Sequence, residues 1–302
     1  MIGEGFPDDS IAWNQAISLY DADQVVEASA LARQLSVGAW GEYIAWWRTI
    51  EAEAQTRKAA VAIPITDWAS LEFVEDEFES LREERVRSLL EVCDTTARAL
   101  NWEHRAETRF TVLLEASYSD FATHPEGYMA EKDPYYKICL PMYVCEDPEE
   151  FASAVAHEYA HVISTEVADG RADRWLEEGI SVWQEADANE EVLQMFREKS
   201  ADWHTTESLE QLLEGGGAFI ETDEEELDLV YVAYQQAGVV VRHIANRYGE
   251  AKIAEILAAH LRADLGESLG LRTPTESALL HVTGAGAQAH FSTAYQRLIQ
   301  SE

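Results

Sequence analysis

Between Asp147-Pro148 and Asp169-Gly170 the chain runs without a helix breaker, and inside that run stands His157-Glu158-Tyr159-Ala160-His161. No other stretch restricts the fold as much. Asp147 suits a helix N-cap, Pro148 suits the first helical position, and Glu149 and Glu150 complement the positive end of the helix dipole. Ala152, Val155, Ala156, Tyr159 and Val162 recur at helical spacing. On such a helix His157 and His161 lie at i and i+4, so both imidazoles leave one face and can reach a single zinc ion. Glu158 is one step round, near enough to take a proton from a water at the metal without being a ligand itself.

After a turn at Asp169-Gly170, the run Trp175 to Glu185 (W-L-E-E-G-I-S-V-W-Q-E) reads as a second helix. A catalytic zinc takes three protein ligands and keeps one position open. An antiparallel return brings the early turns of this helix beside the middle of the first, which makes Glu178 the expected third ligand. Glu177 is the neighbouring alternative, turned about 100° away around the helix.

H-E-x-x-H followed by W-L-x-E-G-x-S resembles the gluzincin metallopeptidases, in particular their compact, bacterial, peptidase-MA-like branch. In the related aminopeptidases the glutamate of W-L-N-E-G binds zinc, and that position is Glu178 here. The resemblance runs as a pattern from about Leu81 to the C-terminus and is specific over His157 to Glu185. Sixteen residues separate His161 from Glu178, slightly fewer than in the aminopeptidases, which implies a shorter connection. The resemblance also implies a tyrosine donor to the oxyanion from a later helix. Leu229 to Tyr248 is that helix, with Tyr234 as the candidate and Tyr231, one turn earlier, as the second. It implies too that an edge strand beside the metal aligns an extended peptide, for which Lys137 to Met142 is the candidate. The aminopeptidases carry G-x-M-E-N upstream. Gly127-Tyr128-Met129-Ala130-Glu131 displaces the acid and lacks the asparagine, so endopeptidase action is expected rather than aminopeptidase action.

The expectation is therefore an α+β, predominantly helical chain: a small mixed sheet, then a gluzincin-like helix pair, then a C-terminal helical bundle. Residues 1–79 are expected to be an N-terminal helical region and 80–302 the metallopeptidase-like domain. Within the first, Asp21 to Leu35 has helical spacing. Trp40, Tyr43, Ile44 and Trp47 mark a face of a helix running toward Ala60. Ala62 to Thr66 reads as a linker and Trp68 to Phe78 as the start of a helix. Glu79 to Leu100 reads as a long helix, Arg109 to Leu114 as a strand, 115–134 as a polar loop, and Tyr136 to Val144 as a strand that Pro141 keeps short or at an edge. Asn189 to Leu213 reads as helical, and the acidic run Glu221 to Asp228 as a surface loop bordering the cleft. Glu250 to Arg262 and Ala287 to Gln300 are closing helices. His243 is a structural residue in this reading, and His204, His260, His281 and His290 lack partners at metal spacing.

A formal net charge of −35 repels nucleic acid and anionic membranes, so neither is an expected partner. A peptide or protein substrate is. No apolar run approaches a membrane span and the start lacks signal-peptide character, so a cytoplasmic protein is expected. Cys93, Cys139 and Cys145 read as free buried thiols. The alternative to a zinc peptidase is a non-catalytic, zinc-containing scaffold or binding protein with a peptidase-like fold. A fourth protein ligand would mark a structural zinc site.

Overall fold

The computed structural model describes residues 6–21, 24–34, 44–74, 82–105, 108–115, 128–130, 135–185, 203, 205–215, 224–262 and 273–300. It is α+β and mostly helical, and it divides into two compact units. One takes residues 1–86 and 105–147; the other takes 87–104 and 148–302.

The first unit contains helices α1 (Phe6–Asp21), α2 (Val25–Ala32) and α3 (Ile44–Ala59), and a mixed sheet. Strands β1 (Val61–Pro64), β2 (Ala69–Phe73), β3 (Arg109–Glu115), β4 (Tyr128–Ala130) and β5 (Tyr135–Pro141) lie in the order β1-β2-β3-β5-β4. β2 with β3 and β3 with β5 are parallel, while the two outer pairs are antiparallel. Phe110 to Leu114 on β3 and Tyr136 to Pro141 on β5 are buried without alternation, as strands covered on both faces must be. Ala62 to Pro64 is thus part of a strand and not a linker, and Ala69 to Phe73 is a strand and not the start of a helix. Because β2 pairs with β3 from Ala69↔Phe110 to Glu72↔Leu113, residues before position 79 share a sheet with residues after it. The units accordingly do not divide by a cut there. β5 is not an edge: Lys137 to Cys139 pair with β3 on one side and with β4 on the other. Its backbone groups over that span are taken, so Lys137 to Cys139 are not a free edge for a peptide, and Met142 lies past the end of the strand in a 3-10 turn. Trp40 and Tyr43 lie outside the described residues.

A buried charge cluster ties this unit together. Lys137 Nζ on β5 donates to Glu53 Oε2 on α3 and, at 2.8 Å, to Tyr20 Oη on α1; it also lies 4.1 Å from the centre of the Tyr20 ring. Both charged side chains have no exposed surface. Arg57 Nε, one turn along α3, donates to the other Glu53 oxygen at 2.8 Å. Burial alone would raise the Glu53 carboxyl, but Lys137 and Arg57 hold it below its ordinary range.

α4 (Arg82–Ala99) spans the division between the units. The second unit holds its later turns together with α5 (Pro148–Ala168), α6 (Arg174–Gln184), α7 (Thr206–Gly215), α8 (Glu224–Tyr248), α9 (Ala251–Ala259), α10 (Pro274–Thr283) and α11 (Ala287–Gln300). Asp169 and Gly170, with φ of 56° and 62°, turn the chain out of α5, and Gly170 N–H closes the helix on Thr165 C=O at 3.1 Å. α6 returns against α5 and also packs against α8. Here two glycines are required by space. A Cβ on Gly179 would lie 2.7 Å from the Ala237 carbonyl oxygen, and one on Gly238 would lie 2.9 Å from Val182 Cβ. α6 and α8 therefore approach closely at two reciprocal points, against backbone at Gly179 and against a side chain at Gly238, which brings Tyr234 of α8 alongside Glu178. Gly238→Ala is expected to cost about 1–3 kcal/mol by overpacking; urea unfolding measures it, and Val182→Ala in the same chain should recover part of the loss.

Glu224 to Asp228 begin α8 and are not loop; acidic residues suit the positive end of a helix. Residues 216–223, 186–202 and His204 are outside the described set. Cys93, Cys139 and Cys145 are buried and free. Among the described residues, no helix is long and apolar enough to cross a membrane.

Three histidines of this unit are structural. His260 Nδ1 donates to Ile256 C=O at 2.9 Å and its Nε2 accepts from Thr275 Oγ1 at 2.9 Å, while His290 Nε2 meets Thr283 Oγ1 at 2.9 Å. His243 has a buried Nε2 with no hydrogen bond. Its burial, together with Arg297, His290 and Arg247, pushes it down to about 4. Between pH 6.5 and about 4 the unfolded chain binds a proton that folded His243 refuses, so this contribution to stability is present above that window and is lost as pH falls through it. Relative to wild type, His243→Leu is expected to lose less stability from pH 7 to pH 4, by on the order of 2 kcal/mol in parallel urea titrations.

Candidate metal centre

α5 and α6 bring His157, His161 and Glu178 together. The Nε2 atoms of the two histidines are 3.2 Å apart, and Glu178 Oε2 is 3.4 Å from the first and 3.2 Å from the second. Bonds of about 2.0–2.1 Å at tetrahedral angles put neighbouring donor atoms about 3.3 Å apart. The triangle therefore has the dimensions of one face of a zinc tetrahedron. Glu178 Oε2 is buried and has no geometrically sound hydrogen bond, although both imidazoles are near. A buried carboxylate oxygen without a partner is costly, and a cation at the centre of the triangle would satisfy it. Among the described residues, this is a group of three side chains able to hold a metal ion, and its donor set fits zinc.

Glu177, the alternative ligand, is outside that group. It turns toward Arg174, with Oε2 3.8 Å from Nη1, as its position around the helix dictates.

The charges in the site respond to one another. Burial alone would raise the Glu178 carboxyl, but His161, His157 and Arg174 hold it well below the usual carboxylate range. Burial alone would lower His157, but Glu178 and Glu185 hold it well above the ordinary imidazole range. Glu158, buried beside both histidines, is raised by burial against their pull. The Tyr234 phenol is raised by burial and by Glu178, so it is a neutral O–H donor at neutral pH. Its ring centre lies 6.4 Å from that of His157, whereas Tyr231 is 49% exposed. The structure thus brings Tyr234 to the site.

Surrounding residues hold the triangle, and sequence reading did not assign them. Glu185, just past the end of α6, accepts from His157 Nδ1 at 2.5 Å, which would direct the Nε2 lone pair toward Glu178 and His161 once a cation displaces the Nε2 proton. Its signal is its place on the far end of the W-L-E-E-G helix. Glu210 of α7 accepts from Arg174 N–H at 2.7 Å and Trp175 N–H at 3.0 Å, capping α6 from another helix. Tyr159, the third residue of the motif, points away and fixes α5. Its hydroxyl bonds to His104 Nδ1 at 2.7 Å, and His104 Nε2 meets Asp94 of α4 at 3.0 Å.

Comparison with protein-family models, with curated proteins and with solved structures gives no match.

Proposed function

We propose that this chain is a zinc-dependent hydrolase of peptide bonds, of gluzincin type and acting as an endopeptidase. The observation that carries this reading is the donor triangle, whose edges of 3.2–3.4 Å match a cation at zinc bond lengths and whose buried Glu178 Oε2 makes no hydrogen bond of good geometry to the two imidazoles beside it. His157 and His161 would give Nε2 lone pairs to the ion, and Glu178 would give Oε2. When bound, zinc supplies Lewis acidity that polarises a carbonyl and makes water more acidic.

The chain's own residues supply the rest. Glu158 takes the proton from the attacking water as its oxygen bonds to the scissile carbonyl carbon, then hands that proton to the leaving amine nitrogen. One carboxylate serves as base and then as acid because one proton is shuttled per turnover. Burial raises the Glu158 carboxyl above its ordinary range, which favours its taking up a proton. Tyr234 donates its O–H to the carbonyl oxygen as that oxygen gains charge. Glu185 keeps His157 in the tautomer that presents Nε2.

Metal analysis coupled to digestion of a mixed peptide library, with and without a chelator, tests the proposal. One zinc per chain and internal cleavages that vanish on chelation are expected. Stoichiometric zinc with an intact library would favour the scaffold alternative and overturn the hydrolase.

A further inference from the structure

Arg174 opens α6 one turn before Glu178 and has no part in the chemistry described above. Its Nη2 donates to Glu178 Oε1 at 2.6 Å, and it shares a hydrogen bond with the Tyr234 hydroxyl. The two oxygens of Glu178 are therefore in different states. Oε1 is held by the guanidinium, and the Tyr234 hydroxyl also bonds to Glu178, while Oε2 is buried, without a sound hydrogen bond, beside both imidazole Nε2 atoms. The Glu178 side chain is 1% exposed and that of Arg174 is 45% exposed, so the arginine stands between the carboxylate and solvent.

A carboxylate can meet a cation through one oxygen or two. Two would fill a position that a hydrolytic centre leaves open for water. A planar guanidinium donates along fixed directions, which an ammonium on a flexible stem does not. We propose that Arg174 is a positioning residue that holds Glu178 to coordination through Oε2 alone, an inference that rests on the metal reading above.

The test uses the full chain with Arg174→Met and Arg174→Lys, loaded with Co²⁺, whose visible absorption weakens as coordination number rises. Zn²⁺ affinity is measured in parallel by competition with a chromophoric chelator. In Arg174→Met the visible bands should weaken markedly and Zn²⁺ affinity should fall about 10–100-fold. Arg174→Lys keeps the charge but not the fork, so it should show the same spectral change with a smaller loss of affinity. Wild-type spectra in both variants overturn the proposal even if affinity falls, because a merely structural arginine would act in that way. If circular dichroism shows Arg174→Met to be unfolded, Arg174→Lys decides alone. A wild-type chain that takes up neither Co²⁺ nor Zn²⁺ overturns the metal reading itself, whereas normal uptake with unaltered variants removes only the role of Arg174.

Discussion

Glu158→Gln is expected to retain one zinc per chain and to lose peptide hydrolysis by about 10²–10⁴-fold in kcat. The substitution keeps the size of the side chain and removes only its capacity to accept a proton. Glu158 is not a member of the donor triangle, so the three ligands keep their positions and metal content should not change. Zinc analysis and turnover of whichever library peptide wild type cleaves fastest check the two halves of this statement separately. Undiminished turnover would take the proton shuttle away from Glu158. Lost zinc with lost turnover would mean that the residue supports the ligands rather than the chemistry.

Lys137→Met is expected to produce the largest change in stability, about 3–5 kcal/mol, because it leaves Glu53 inside the first unit without its main partner. Both side chains are wholly buried. Arg57 still reaches Glu53 at 2.8 Å and should keep the loss toward the lower end of that range. Adding Glu53→Met removes the stranded charge, so the double variant should recover most of the loss in urea or guanidinium unfolding. A double variant as unstable as the single one would show that the cost lies in packing and not in the unpaired carboxylate.

The parts of the fold that could be read in the sequence are those whose signals are local. Asp147-Pro148, the following glutamates and Asp169-Gly170 bound α5 almost to the residue, and α8 and α11 follow from long runs of helical periodicity. β3 was legible in its aromatic and β-branched content. β1 and β2 were not. Pro64 and a short outer strand imitate a linker, and the alternation of β2 (A-S-L-E-F) is short and lies beside acidic residues that suggest a helix start. Their identity comes from pairing with residues far along the chain, which no local pattern carries. α10 was missed although its signal is local: Thr273 accepts from Glu276 N–H, Pro274 sits at the first position, and Gly284 closes the helix with a positive φ.

The same distinction holds at the candidate site. His157, Glu158 and His161 are fixed by spacing within one helix. Glu178 follows from a second helix that must return alongside. Glu210 reaches the start of α6 from 35 or more residues away in sequence, and nothing near it announces that task. Tyr234 was legible only as one of two tyrosines a turn apart. What separates them is the close approach of α6 and α8 at Gly179 and Gly238, a packing event rather than a motif.

The donor triangle of His157, His161 and Glu178 should hold one cation. Diffraction from crystals equilibrated with zinc, recorded above and below the zinc absorption edge, tests it most directly. One strong anomalous peak is expected about 2.0–2.2 Å from His157 Nε2, His161 Nε2 and Glu178 Oε2, with a fourth position not filled by protein. No peak in that triangle, or zinc held by other residues, would contradict it.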